Sequence, residues 1–190
     1  MRINRILITA GGTALILFGL VMLLLQVENT LEWEFGVLAF LVLVTAGLIG
    51  LLSHGRVSRL GKLGLWLAVL SPVLITALFL FESRLPELPW DIFPILFFCL
   101  PVGIGIFGIA ALRSRPFNWG NGLPLLAAAS LVALFQLNPA LPVWVSQAAT
   151  FLLALSWMAL GYTLIVSSRR PAEVNRQPAQ SSRKIVLGGL

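Results

Sequence analysis

Charge is what this sequence has least of. Charged residues make up 11% of it and hydrophobic residues 58%, whereas a soluble domain carries roughly 25% charged residues. A chain this poor in polar groups cannot cover itself with a water-facing surface, which excludes an ordinary soluble domain. Imidazole and thiol are scarce too: there is one histidine, His54, and one cysteine, Cys99. A lone cysteine excludes an intrachain disulfide, and a lone imidazole without a thiolate leaves a metal ion without ligands. No metal site and no cofactor is expected.

What is present instead is long apolar sequence. A helix needs about 20 mainly apolar residues to cross about 30 Å of hydrocarbon. Six stretches of the 190 residues are candidates: Ile6–Leu25, Phe35–Leu52, Leu63–Phe81, Ile92–Leu112, Leu123–Leu137 and Val143–Val166. Helices are the physical choice because lipid offers no partner to an unpaired backbone N–H or C=O. A membrane β-barrel would instead show segments of about ten residues with alternating polarity, and these runs are continuous. The expected fold class is all-α, a polytopic transmembrane bundle of six spans over residues 1–166. Residues 167–190 form a basic tail with Pro171 and Pro178, expected to be disordered because it has too little apolar surface to bury.

Two stretches test that reading. Met1–Arg5 followed by an apolar run imitates a secretory signal, but Ile6–Leu25 is 20 residues long, beyond the usual core of about 7–15. Gln26-Val-Glu-Asn29 offers no small-residue cleavage site, so a retained first helix is expected. Leu123–Leu137 is short, reaching only about 22 Å, and Asn138-Pro139 interrupts it. Parity retains it. Without this crossing the basic tail would lie on the side opposite to the other basic segments.

Orientation follows from the loops. Arg2 and Arg5, then Arg56, Arg59 and Lys62, then Arg113 and Arg115, then the five bases after Val166 fall on one side. These are 12 of the 13 basic residues. The other side carries Glu28, Glu32, Glu34, Glu82, Glu87 and Asp91, with Arg84 the one basic exception. The positive-inside rule then places both termini on the cytoplasmic side of the membrane. The same bias accounts for the net charge of +6; a nucleic-acid groove would need a clustered basic face. The expected partners are the bilayer, anionic lipid headgroups at the basic loops and tail, and other membrane proteins. Trp33, Phe35, Trp90, Phe93, Trp144 and Trp119 flank span ends, where amphipathic rings sit at headgroup level. Trp157 lies deeper and is read as a packing residue.

Several motifs have a functional and a plain reading. Gly103-Ile-Gly-Ile-Phe-Gly108 matches the dinucleotide fingerprint letter for letter. That fingerprint needs a preceding strand and an acid about 20 residues on, and no acid occurs between Asp91 and Glu173. The glycines are read as close-packing residues between helices. Pro72 and Pro101 are read as structural kinks, with a solute cavity between helices as the alternative. Ala10-Gly-Gly-Thr-Ala14 is read as packing within the bundle, with a docking face for a partner helix as the alternative. At an offset of 58, Gly47 and Gly50 pair with Gly105 and Gly108, and Gly64 pairs with Gly122. A parallel repeat of two hairpins is one explanation, and a composition rich in Gly and Leu is the other.

No Asp, Glu, Lys, Arg or His lies inside any span. Proton relays, ion-coupled pumps and voltage sensors need such charge. Ser71, Ser130, Ser146 and Ser156 have no base at their depth to activate them, so no catalytic residue and no enzyme is expected. Tyr162, Gln136, Gln147 and Thr150 can hydrogen-bond a neutral ligand or another helix.

Leu48–Leu67, with Arg59-Leu-Gly-Lys-Leu-Gly-Leu65, and Phe107–Leu126, with Phe107-Gly-Ile-Ala-Ala-Leu-Arg-Ser-Arg-Pro116, together resemble a group of six-span bacterial integral membrane proteins without assigned activity. The ending Leu160-Gly-Tyr162 fits the same group. The resemblance implies the topology and no chemistry. Two functions are expected in order: a non-catalytic structural, accessory or assembly component of a membrane complex, or a small-solute binding or transport module. The second resembles, in size and topology, the substrate-capture subunits of energy-coupling vitamin transporters.

Overall fold

The computed structural model describes the backbone of residues 2–27, 33–81, 92–117, 119–134 and 142–169, and side chains over 4–24, 41–78, 94–117, 119–134 and 142–168. Among these residues all regular structure is helical: α1 (Arg2–Val27), α2 (Trp33–Leu52), α3 (Arg59–Phe81), α4 (Ile92–Ser114), α5 (Leu123–Val132) and α6 (Val143–Arg169). Among the described residues four stretches are long and apolar enough to cross a membrane: Asn4–Leu24, Arg59–Leu78, Pro94–Ser114 and Val143–Ser168. The apolar lengths described in α2 and α5, Leu41–Leu52 and Leu123–Val132, are shorter. The last residues of the expected fifth span, 135–137, lie outside the described residues. The α-helix of that span ends at Val132, and residues 133–134 continue it in a wider π turn.

The boundaries have local causes. Ser58 precedes α3, and its Oγ accepts the Gly61 N–H at 3.2 Å, the N-cap bond that satisfies one orphan donor. Pro124 sits in the first turn of α5, where its missing N–H costs nothing. At the end of α4, Arg115 takes a left-handed φ of 46° while its N–H donates to the Ala111 carbonyl at 2.8 Å. Arg113 in that last turn complements the negative end of the helix dipole.

Each helix packs on its chain neighbours, and α1 closes against α6, so the six form a ring. The α1–α6 and α3–α4 interfaces are the most extensive. Glycine sets their approach. A Cβ on Gly11 would fall 2.5 Å from Cα of Gly50, and a Cβ on Gly103 would fall 2.5 Å from the Gly64 carbonyl oxygen. In each pair the glycines stand 39 residues apart, so α1–α2 and α3–α4 are hairpins crossing at the same register. Gly12 and Gly161 bring α1 against α6 in the same way.

This packing separates the stretches paired at offset 58. Gly50 faces α1, outside the α2–α3 hairpin, whereas Gly108 faces Leu125 of α5, inside the α4–α5 hairpin. The similarity does not extend to shared neighbours.

The core is built of Leu15, Phe18, Leu48, Leu65, Ile104, Phe107, Leu153 and Trp157. The outside is no less greasy: Ile6 is 68% exposed, Trp66 63% and Trp144 70%. Meanwhile Ser71, Ser130, Ser156 and Thr163 are buried. An apolar exterior around a partly polar interior suits lipid, since a soluble monomer rarely exposes large apolar patches. The acidic loops with Arg84, the aromatics Trp33, Phe35, Trp90 and Phe93, Gln136 and Asn138-Pro139 lie outside the described side chains, as does the chain after Arg169.

Candidate functional site

Contacts gather the basic segments at one end of the ring. The loop after α2 and the loop after α4 meet through His54 and Phe117, whose rings stack with centroids 5.5 Å apart and planes 4° apart. Phe117 in turn packs edge-on against Phe107 of the core. The second loop reaches α6, where Trp119 lies against Tyr162 and Gly120 stands close to Thr163. Gly11 on α1 and Gly50 near the end of α2 bring the start of the chain to the same end. Arg5, Arg56, Arg59, Lys62, Arg113 and Arg115 thus share one rim.

The loop bearing Phe117 is closed by its own side chain. Asn121 Oδ1 accepts the Phe117 N–H at 3.1 Å, and Asn121 Nδ2 donates to the Phe117 carbonyl at 2.9 Å. Gly120 adopts φ 78° in that turn, a conformation a side chain would strain. Phe117 is thereby held inward against His54.

His54 is 6% exposed and bonds to the backbone of Pro116. Proline has no N–H, so the imidazole donates and the carbonyl accepts. Nε2 has no partner, which assigns the donor to Nδ1. Burial lowers the His54 pKa below its usual value, opposed by the Pro116 bond and reinforced by the Arg56 charge. His54 is thus a buried joint between two loops, with burial favouring its neutral form. Nothing local signals this, because Pro116 and Phe117 lie 62 and 63 positions away.

At the middle of the bundle, hydroxyls bond to backbone. Ser71 Oγ donates to the Leu96 carbonyl at 2.6 Å, linking α3 to α4. Ser130 and Ser156 donate to the carbonyls of Leu126 and Leu152 within their own helices, and Thr150 to that of Ser146. Pro72 and Pro101 are buried within α3 and α4. Gly103 packs on α3 and Gly108 on α5, while Gly105 has only Ala128 at 3.9 Å, so the fingerprint-like run is a packing strip between two helices. Cys99 is a free thiol of intermediate exposure. Trp157, 1% exposed, packs edge-on against Phe18 at 5.6 Å, as a packing residue should. Its indole N–H has no acceptor, an expense of about 1–3 kcal/mol for a buried donor. Among the described residues no three His, Cys, Asp or Glu side chains come together.

A furrow of about 650 Å³ runs along the outer side of α1 from Arg5 to Leu17, with Leu43 of α2 as one wall. The run Ala10–Ala14 divides there: Gly11 and Gly12 face α2 and α6, whereas Ala10 and Thr13 face the furrow.

No family model, curated protein or solved structure matches this chain. The functional reading therefore rests on the arrangement of its own residues.

Proposed function

We propose that this chain is a six-span protein of the bacterial cytoplasmic membrane with both termini inside, acting as a non-catalytic accessory or assembly component of a membrane complex. The observation that carries the reading is the basic rim, where the His54–Phe117 stack joins two loops above a close-packed bundle. The rim supports an inward orientation by the positive-inside rule and gives anionic headgroups a basic surface. Buried hydroxyls already bonded to backbone favour structure over chemistry. The resemblance to the six-span bacterial group agrees with this topology. Purification of the tagged full chain in mild detergent should recover one or more other membrane proteins in fixed ratio. A strictly solitary monomer at every detergent tried would reject the complex-component role.

One observation favours a small-solute module instead: the buried Trp157 indole N–H that lacks an acceptor, which a neutral carbonyl could fill. On that reading, thermal unfolding shifts with a vitamin-like solute, and Trp157→Phe abolishes the shift. Silence across a broad solute panel removes it.

A further inference from the structure

We propose that the furrow on α1 is a binding site for one anionic phospholipid, with an acyl chain lying in the furrow and the phosphate at Arg5. The proposal rests on the membrane-embedded reading above. Its geometry fits. From Arg5 to Leu17 the furrow follows α1 for about 18 Å, close to the ~15 Å depth of one leaflet's hydrocarbon, and its volume is about 650 Å³. Its walls and floor include Ile6, Ala10, Leu17 and Leu43, and the Thr13 hydroxyl among its lining already donates to the Thr9 carbonyl at 3.0 Å. An apolar chain suits so largely apolar a surface.

Arg5 decides the headgroup. It is the one charged residue of the furrow and stands at its rim end. Six of the seven acidic residues occur at Glu28–Glu34 or Glu82–Asp91; the nearest in sequence, Glu28, is 23 residues on, beyond the end of α1 at Val27, and α1 from Arg5 to Val27 already spans about 33 Å. A phosphate at headgroup depth meets the guanidinium with charge-assisted hydrogen bonds. A second copy fits less well. A two-fold axis along the membrane normal would set α1 beside α1 and Arg5 beside Arg5, a like-charge contact that no furrow residue offsets.

The test is native mass spectrometry of the full chain in mild detergent. Phosphatidylglycerol and phosphatidylcholine with identical acyl chains are supplied together in equal amounts. The expected result is retention of one phosphatidylglycerol in preference to phosphatidylcholine. Arg5→Gln should weaken that preference about fivefold, the equivalent of about 1 kcal/mol for one basic residue near a surface, and by more than Arg113→Gln, a rim base that does not line the furrow. Ala10→Phe, which fills the furrow from an exposed position, should abolish retention of either lipid; Thr13→Phe provides the same block if Ala10→Phe does not fold. Equal retention of the two lipids overturns the proposal, as does retention that survives a well-folded furrow-filling variant. A wild-type dimer lost in those variants would assign the furrow to a second copy and overturn it equally. Dependence of solubility on detergent is read separately, so failure of the lipid site is distinguishable from failure of the membrane reading.

Discussion

At the residue scale, His54 carries the sharpest expectation because its two states differ in what burial costs. The neutral ring is satisfied at Nδ1 by Pro116, whereas the imidazolium would place a second donor, Nε2–H, in a site without an acceptor. Its folded pKa lies below the usual value, so the folded state binds fewer protons than the unfolded one. The associated stability is full above the unfolded pKa of about 6.5 and is lost as pH falls through the folded pKa. Thermal unfolding in detergent should therefore occur at lower temperature as pH drops below about 6.5. His54→Phe, which keeps a ring against Phe117, should flatten that dependence. An unchanged pH profile in the variant would assign the loss to other groups. Trp157 offers a contrast at the same scale: Trp157→Phe removes an unpaired N–H and should be near neutral, while Trp157→Ala should cost about 3–5 kcal/mol by leaving a cavity against Phe18.

At the scale of elements, the glycine crossings determine how closely the helices approach. Lipid tails are as apolar as leucine, so helix association in a bilayer draws on packing and hydrogen bonds rather than on escape from water. A side chain at Gly11 would meet Gly50 backbone, which has no rotamer to move. Gly11→Val should destabilise the fold by about 1–3 kcal/mol or more through overpacking, whereas Gly105→Ala, with only Ala128 at 3.9 Å, should be tolerated. Size-exclusion profiles and unfolding temperatures of the two variants make the comparison, and equal behaviour would contradict the crossing. Ser71→Ala should have a smaller effect, about 0.6 kcal/mol, typical of a hydrogen bond between membrane helices. The helices themselves were legible from their unbroken apolar runs. Which glycine serves which neighbour was not: Gly11 and Gly12 are adjacent in sequence and point to different helices, and Gly64 shows its role only once Gly103 lies opposite.

At the scale of the whole molecule, the ring gathers charged segments that are scattered along the chain. In a Cys99→Ala background, single cysteines placed at Arg56 or Arg115 should resist an impermeant thiol reagent applied to intact cells and react once the cells are opened. Ready labelling from outside at either position would reverse the proposed orientation. Composition and the spacing of bases were enough to expect a helical, lipid-facing chain with a basic side. Those properties are sums over local residues, since helix length, hydropathy and charge placement need no knowledge of what packs where. The closure of α1 on α6, the burial of His54 between two loops and the split of the Ala10–Ala14 run between bundle and furrow were decided only by tertiary structure. Each depends on residues far apart in sequence meeting at a few ångströms, and no periodicity along the chain encodes such a meeting.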